Sequence, residues 1–173
     1  MAEEKVEQIK NPGKFEEGKR YLEFSLGEEK FAIPLLAVKE VIAIPQLTPV
    51  PYSPKHFLGI MNLRGQIISV IDLRQKFDIK PNDSKENAVI ICDLSSIVLG
   101  VVVDSVNSVL SPKAADISDV PRFDSKQNND YIEAIYRQKE SLVLFLDIAK
   151  VLSAQDHKAI SKALNSIPEA KVA

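Results

Sequence analysis

From Tyr21 onwards the chain is divided into short apolar runs separated by turn residues. Tyr21 to Leu26 alternates, with Leu22, Phe24 and Leu26 on one side and Glu23 and Ser25 on the other. A period of two predicts a half-buried strand. Gly27-Glu28-Glu29-Lys30 supplies a turn, and Phe31-Ala32-Ile33 returns as the partner strand before Pro34 stops it. In Leu35 to Ile42, the residues Leu35, Val38 and Ile42 fit a helical face, whereas Val38, Val41 and Ile42 favour an extended run. A helical turn leading into a strand is expected there. Pro45, Pro49, Pro51 and Pro54 then break the chain into extended loop and edge strand, with one helical turn over Pro54-Lys55-His56-Phe57.

The stretch Gly59 to Phe77 is the clearest hairpin. Two apolar runs flank Leu63-Arg64-Gly65-Gln66, and the second, Ile67 to Ile71, ends on Asp72. Gly65 is suited to positive φ in the turn. Asp72 is placed to accept from the free amides of Leu73-Arg74-Gln75 and start a short helix. Arg64, at a tight turn beside two apolar strands, must face water or a partner.

Ile79 to Asn87 is a polar linker, Ala88 to Cys92 and Ile97 to Val103 are strands around Ser95-Ser96, and Ser111 to Asp130 reads as a long surface loop. Tyr131 to Tyr136 and Leu142 to Leu146 form a last hairpin, followed by a short helix capped by Asp147. Ser153-Ala154-Gln155-Asp156 is a relative of the capping box. It opens a helix over 153–167 with a thin apolar stripe of Ile160 and Leu164, ending before Pro168. Residues 1–19 are charged and poor in apolar side chains, and are expected to be a flexible tail.

The halves repeat. With Phe31 laid on Leu99, Val38, Val41 and Ile42 fall on Val106, Val109 and Leu110; with Asp72 laid on Asp147, Ile60, Ile67 and Ile71 fall on Ile135, Leu142 and Leu146. Each half, 20–82 and 83–152, is then a set of short strands closed by a hairpin and a capped helix. Such sets suggest small barrels, each too small to bury much alone and therefore sharing a core. The turns differ: Asn62-Leu63-Arg64-Gly65 corresponds to Arg137-Gln138-Lys139-Glu140. A specific task for the first turn follows.

Composition narrows the function. A net charge of -2 and a pI near 5.8 argue against nucleic-acid binding, which needs a clustered positive field. A single cysteine allows neither an intramolecular disulfide nor a multi-cysteine metal site. No signal peptide and no run of about 20 apolar residues is present, so a cytoplasmic protein without membrane insertion is expected.

Catalytic groups do not converge. His56 and His157 read as solvent-exposed, Asp72 and Asp147 as helix caps, Asp104 as a strand-end turn residue, and Cys92 as core. There is no phosphate loop or metal spacing, and neither an enzyme nor a cofactor is expected. Arg64 has two readings, a solvated turn residue or a contact residue flanked by Asn62, Met61 and Leu63. Phe123 also has two: folding back on the core or anchoring a partner. Of Val38 and Glu40, one should face out.

Several runs together resemble the CheW family of bacterial chemotaxis coupling proteins. They are Phe24-Ser25-Leu26-Gly27-Glu28-Glu29-Lys30-Phe31-Ala32-Ile33-Pro34, Val38-Lys39-Glu40-Val41-Ile42 and Thr48-Pro49-Val50-Pro51. More specific are Gly59-Ile60-Met61-Asn62-Leu63-Arg64-Gly65 with Val70-Ile71-Asp72-Leu73-Arg74, extended by Gly100-Val101-Val102-Val103-Asp104-Ser105-Val106. The resemblance covers about residues 20 to 165. It implies a mainly β fold of two intertwined five-stranded SH3-like barrels, with short helices and a C-terminal helix. It implies non-catalytic bridging between the regulatory domain of the histidine kinase CheA and the cytoplasmic tip of a methyl-accepting chemoreceptor. Carried over by position, Val38, Glu40, Gly59 and Arg64 belong to the receptor-facing surface and Phe123 to a kinase contact. Asn62 and Gly65 join the first set because they shape the turn of Arg64. Ser118 departs from the pattern, standing where an arginine can occur before Phe123. A coupling module of a larger protein is disfavoured because the chain ends at Ala173, shortly after the repeat closes.

Overall fold

The computed structural model describes residues 15–81, 86–120 and 130–165. Eleven strands form among them: β1 (Tyr21–Leu26), β2 (Glu29–Pro34), β3 (Val38–Ala43), β4 (Phe57–Leu63), β5 (Gln66–Asp72), β6 (Ala88–Asp93), β7 (Val98–Val103), β8 (Ser105–Leu110), β9 (Ile117–Ser118), β10 (Ile132–Gln138) and β11 (Ser141–Leu146). Three helices accompany them, α1 (Leu73–Lys76), α2 (Ile148–Val151) and α3 (Ala154–Asn165). The expected helical turn before β3 is a 3-10 turn, Leu35–Ala37. At Pro54 the expected helical turn is a single reversal, closed by the Phe57 amide donating to the Pro54 carbonyl.

The sheets cut across the sequence repeat. One runs β8-β1-β2-β11-β10-β9 and the other β3-β6-β7-β5-β4. Each takes two strands from one half and completes itself with strands from the other, joined by the parallel pairs β11–β2 and β5–β7. This is the intertwined, mainly β arrangement expected, although neither sheet closes into a full barrel and the first has six strands. The sixth is β9, which pairs with β10 through Ser118↔Ile135 and Ile117↔Tyr136. The loop read over 111–130 therefore contains structure: Ala114–Asp116 forms a 3-10 turn and β9 follows. β9 has its counterpart in the first half, where Thr48 bridges to Ile60.

Three apolar clusters explain the burial. The largest lies between the sheets and contains Leu22, Phe24, Leu26, Ile71, Leu99, Val101 and Ile160. Each sheet also wraps a smaller core, Tyr21, Ala32, Val143 and Phe145 in the first and Met61, Ile68, Val70, Val89 and Val102 in the second. β1 is thus covered on both faces rather than half-buried, and Glu23 is only 3% exposed. Phe15, near the end of the expected tail, stacks on Tyr21, and Tyr21 lies flat against Phe145 with ring centres 4.3 Å apart.

The helix caps form as read. Asp72 accepts from the Arg74 amide and Asp147 from the Lys150 amide. Ser153 and Asp156 exchange hydrogen bonds, the Ser153 amide donating to Asp156 Oδ2 and the Asp156 amide to Ser153 Oγ. Asp156 does more than cap. Lys76 Nζ donates to its Oδ2 at 2.7 Å and His56 Nε2 pairs with its Oδ1, which anchors α3 to the root of the central hairpin. Burial alone would raise this carboxyl, but the Lys76 ammonium, the Ser153 amide and His56 outweigh it and hold it at about 2. His56 is therefore not the solvent-exposed histidine expected, whereas His157 is exposed. On α3 the buried stripe is Ile160 with Ala163, and Leu164 points outward, 42% exposed.

The second cap has a different neighbour. Burial and then the Asp147 carboxylate push Glu133 up to about 7, against the partial relief of Lys150 and Lys19. In the unfolded chain this carboxyl ionises near its ordinary value, so the folded form binds the extra proton between about pH 4.5 and pH 7. The stability it contributes is present below that window and lost as pH rises through it. The thermal midpoint should fall from pH 5 to pH 7.5 in the parent, and Glu133→Gln should remove that slope. Equal slopes in both proteins would show that the pair is already screened.

Candidate functional site

The central hairpin turns on Arg64 and Gly65, with φ of 51° and 84°. Two successive positive values match the primed turns whose twist suits a two-residue hairpin loop. Asn62 Oδ1 accepts from the Gly65 amide at 2.8 Å and pins the loop. Nothing lies within 4 Å of a side chain built on Gly65, so backbone conformation rather than crowding favours glycine there.

Arg64 leaves this turn toward β3. Its Nη1 and Nη2 donate to Glu40 Oε1 and Oε2 at 2.6 and 3.1 Å, a two-pronged pair. β3 and β4 are opposite edges of the five-stranded sheet, so the contact forms because the sheet curls until its edges approach. The guanidinium hydrogen bond draws the Glu40 carboxyl below its usual range, and Glu40 in turn raises Arg64. The Arg64 side chain is 75% exposed, so the pair lies open to water and is of small value to stability. That solvation favours a surface role over a structural one.

A register shift within β3 sets Val38 opposite Cys92 and Glu40 opposite Ile91, so the two point to opposite faces of the sheet. Both are half-buried, contrary to the expectation that one of the two would be exposed. Val38 packs against the shared core. Around this edge Leu36 and Val41 are exposed apolar side chains. Gly59 stands apart from the turn. Its φ is 141°, and a Cβ there would meet the Thr48 carbonyl oxygen at 2.3 Å. The structure thus brings Glu40, Asn62, Arg64 and Gly65 together, turns Val38 into the shared core, and gives Gly59 a backbone role beside Thr48. Phe123 lies outside the described residues.

Sequence reasoning missed Asp104 and Arg74. Asp104 is buried, accepting from the Gly27 amide at 2.6 Å and from Arg74 Nη1 at 2.9 Å. Arg74 also forks onto Asp72 through Nε and Nη2, both at 2.9 Å. The signal was available in the repeat, since Ala149 occupies the Arg74 position beside Asp147. Among the described residues no group of three or more His, Cys, Asp or Glu side chains could hold a metal ion, and no helix is long and apolar enough to cross a membrane.

Residues 20–156 match the model of the CheW-like domain. The chain is 33% identical over 150 residues to the chemotaxis protein CheW of Klebsiella aerogenes, covering 86% of this chain and 90% of that protein. To the chemotaxis protein CheW of Helicobacter pylori it is 31% identical over 138 residues, covering 79% of this chain and 83% of that one. The crystal structure of the scaffolding protein TtCheW from Thermoanaerobacter tengcongensis superposes with a TM-score of 0.72 at 29% identity, over 80% of this chain and 94% of that one. The open two-sheet fold and these similarities agree: the chain belongs to the CheW-like family of chemotaxis scaffold proteins.

Proposed function

We propose that this chain is a non-catalytic adaptor that couples chemoreceptor cytoplasmic tips to the regulatory domain of the histidine kinase CheA. The observation that carries the reading is the CheW-like match over 20–156. The receptor-facing surface is the curled edge bearing Val38, Glu40, Gly59, Asn62, Arg64 and Gly65, and the kinase contact includes Phe123. A receptor tip is a helix pair, and helices dock by seating apolar side chains in a groove. Exposed Leu36 and Val41 offer apolar area, while Arg64 and Glu40 fix register by charge. The chain works in the cytoplasm and reaches the membrane only through its partners.

The test is a pull-down with a purified kinase regulatory domain and with a receptor cytoplasmic fragment, parent beside Arg64→Ala. The parent should retain both. Arg64→Ala should lose about tenfold in receptor affinity, keep the kinase, and unfold at the parent's denaturant midpoint, since an exposed pair adds little to stability. A parent that binds neither partner would leave only the fold.

A further inference from the structure

A cleft of about 310 Å³ opens where the start of β5, the β6–β7 turn and the end of α3 meet. Its apolar walls include Ile67 and the exposed Leu164, and its polar lining includes Ser69, Asp93, Ser95 and Ser96. Two features set it apart from an ordinary surface dent. Ser69 is 1% exposed, and its hydroxyl has no hydrogen-bond partner among the described residues. A buried hydroxyl left unpaired costs free energy that a bound donor or acceptor would recover. Among the described residues Asp93 is the one charged residue in the lining. Its Oδ1 accepts from the Ser95 amide at 2.9 Å, and Ser95 holds a φ of 70°, so the carboxylate is fixed in place by a strained turn.

We infer that this cleft binds an organic monocation, a guanidinium or ammonium group on a short apolar stem. The Asp93 carboxylate at the rim attracts the charge, the Ser69 hydroxyl takes one polar contact, and the wall of Ile67 and Leu164 covers the stem. Arg64, two residues from Gln66, is paired with Glu40, and Lys162, two residues from Leu164, is exposed on α3. The chemistry is the same whether the group is a free small molecule or the side chain of a docked protein. The proposal does not depend on the adaptor reading above.

Amide NMR titration of the full chain with butylguanidinium and with butylurea, its neutral analogue, tests it. Butylguanidinium should shift the Ser95, Ser96 and Val98 amides saturably, and butylurea should bind at least about tenfold more weakly. Asp93→Asn, which keeps the turn's acceptor, should weaken butylguanidinium by about tenfold. Ser69→Ala should weaken it too while leaving the denaturant midpoint equal or higher, because removing an orphan hydroxyl relieves a cost. Equal affinity for the two analogues, no saturable shift, or parent-like binding by both variants would overturn the site. A receptor or kinase pull-down with Ser69→Ala identifies the source: loss there assigns the cation to the docked protein, and retention assigns it to a free molecule.

Discussion

Replacing Arg74 with alanine is expected to lower the unfolding free energy by about 3–5 kcal/mol, the usual result of breaking a buried ion pair on one side. For a chain of this size that is a fall in thermal midpoint on the order of 10 °C. The argument rests on what remains behind. Arg74 is 8% exposed in its side chain and neutralises Asp72 and Asp104, themselves at 3% and 4%. Without the guanidinium, two carboxylates remain close together inside the protein, Asp104 accepting from the Gly27 amide and Asp72 from the amide of residue 74. Both belong to segments that a fold of this kind must hold together: Asp72 closes β5, and Asp104 separates β7 from β8 while fastening the β1–β2 turn through Gly27. Lysine should rescue little, because a single ammonium cannot fork to two acceptors. Adding Asp104→Asn to Arg74→Ala should recover part of the loss, and a strictly additive double mutant would show that the charges are not coupled. Urea denaturation of the parent, Arg74→Ala, Arg74→Lys, Asp104→Asn and the double mutant measures both.

Gly59→Ala should cost at least about 3 kcal/mol, from positive-φ strain together with a clash that has no soft partner. The added methyl would lie 2.3 Å from the Thr48 oxygen and 2.8 Å from its carbonyl carbon, both backbone atoms. Thr48 and Ile60 exchange two hydrogen bonds of 2.9 Å at this place, so moving Thr48 away breaks the bridge that seats the proline-rich segment on β4. Gly65→Ala is the informative control, because its surroundings are empty; it should cost about 1 kcal/mol. A Gly59→Ala protein as stable as Gly65→Ala would mean that the segment bearing Thr48 yields freely. The same pair separates stability from recognition in receptor-binding assays, since Gly65 shapes the Arg64 turn and Gly59 does not.

Local signals were strong in this chain. Period-two alternation located β1, the Gly65 turn located the central hairpin, and Asp72, Asp147 and Ser153 announced their helices. Each of these depends on residues a few positions apart. What was not legible depended on distant partners. The burial of Glu23 follows from a second core that no single strand reveals, and the pairing of His56 with Asp156 joins residues from opposite ends of the chain. β9 is only two residues long, too short for any periodicity, and exists because β10 presents an edge. At the candidate site, Arg64 was readable as a residue that must face outward. That it would meet Glu40 was not, because the contact requires the whole sheet to curl. Resemblance placed both on one surface; geometry supplied the reason they touch.

The exchange of strands between halves has a kinetic consequence. β2 cannot gain its parallel neighbour until β11 has been made, since Lys30 pairs with Val143. During synthesis the early hairpin must wait, with one edge open, until Ser141–Leu146 has left the ribosome. Contacts so distant along the chain slow folding, and an unpaired edge in that interval invites association with other nascent chains. The parallel β2–β11 seam is thus also among the last to close, and the moment of greatest aggregation risk falls just before it does.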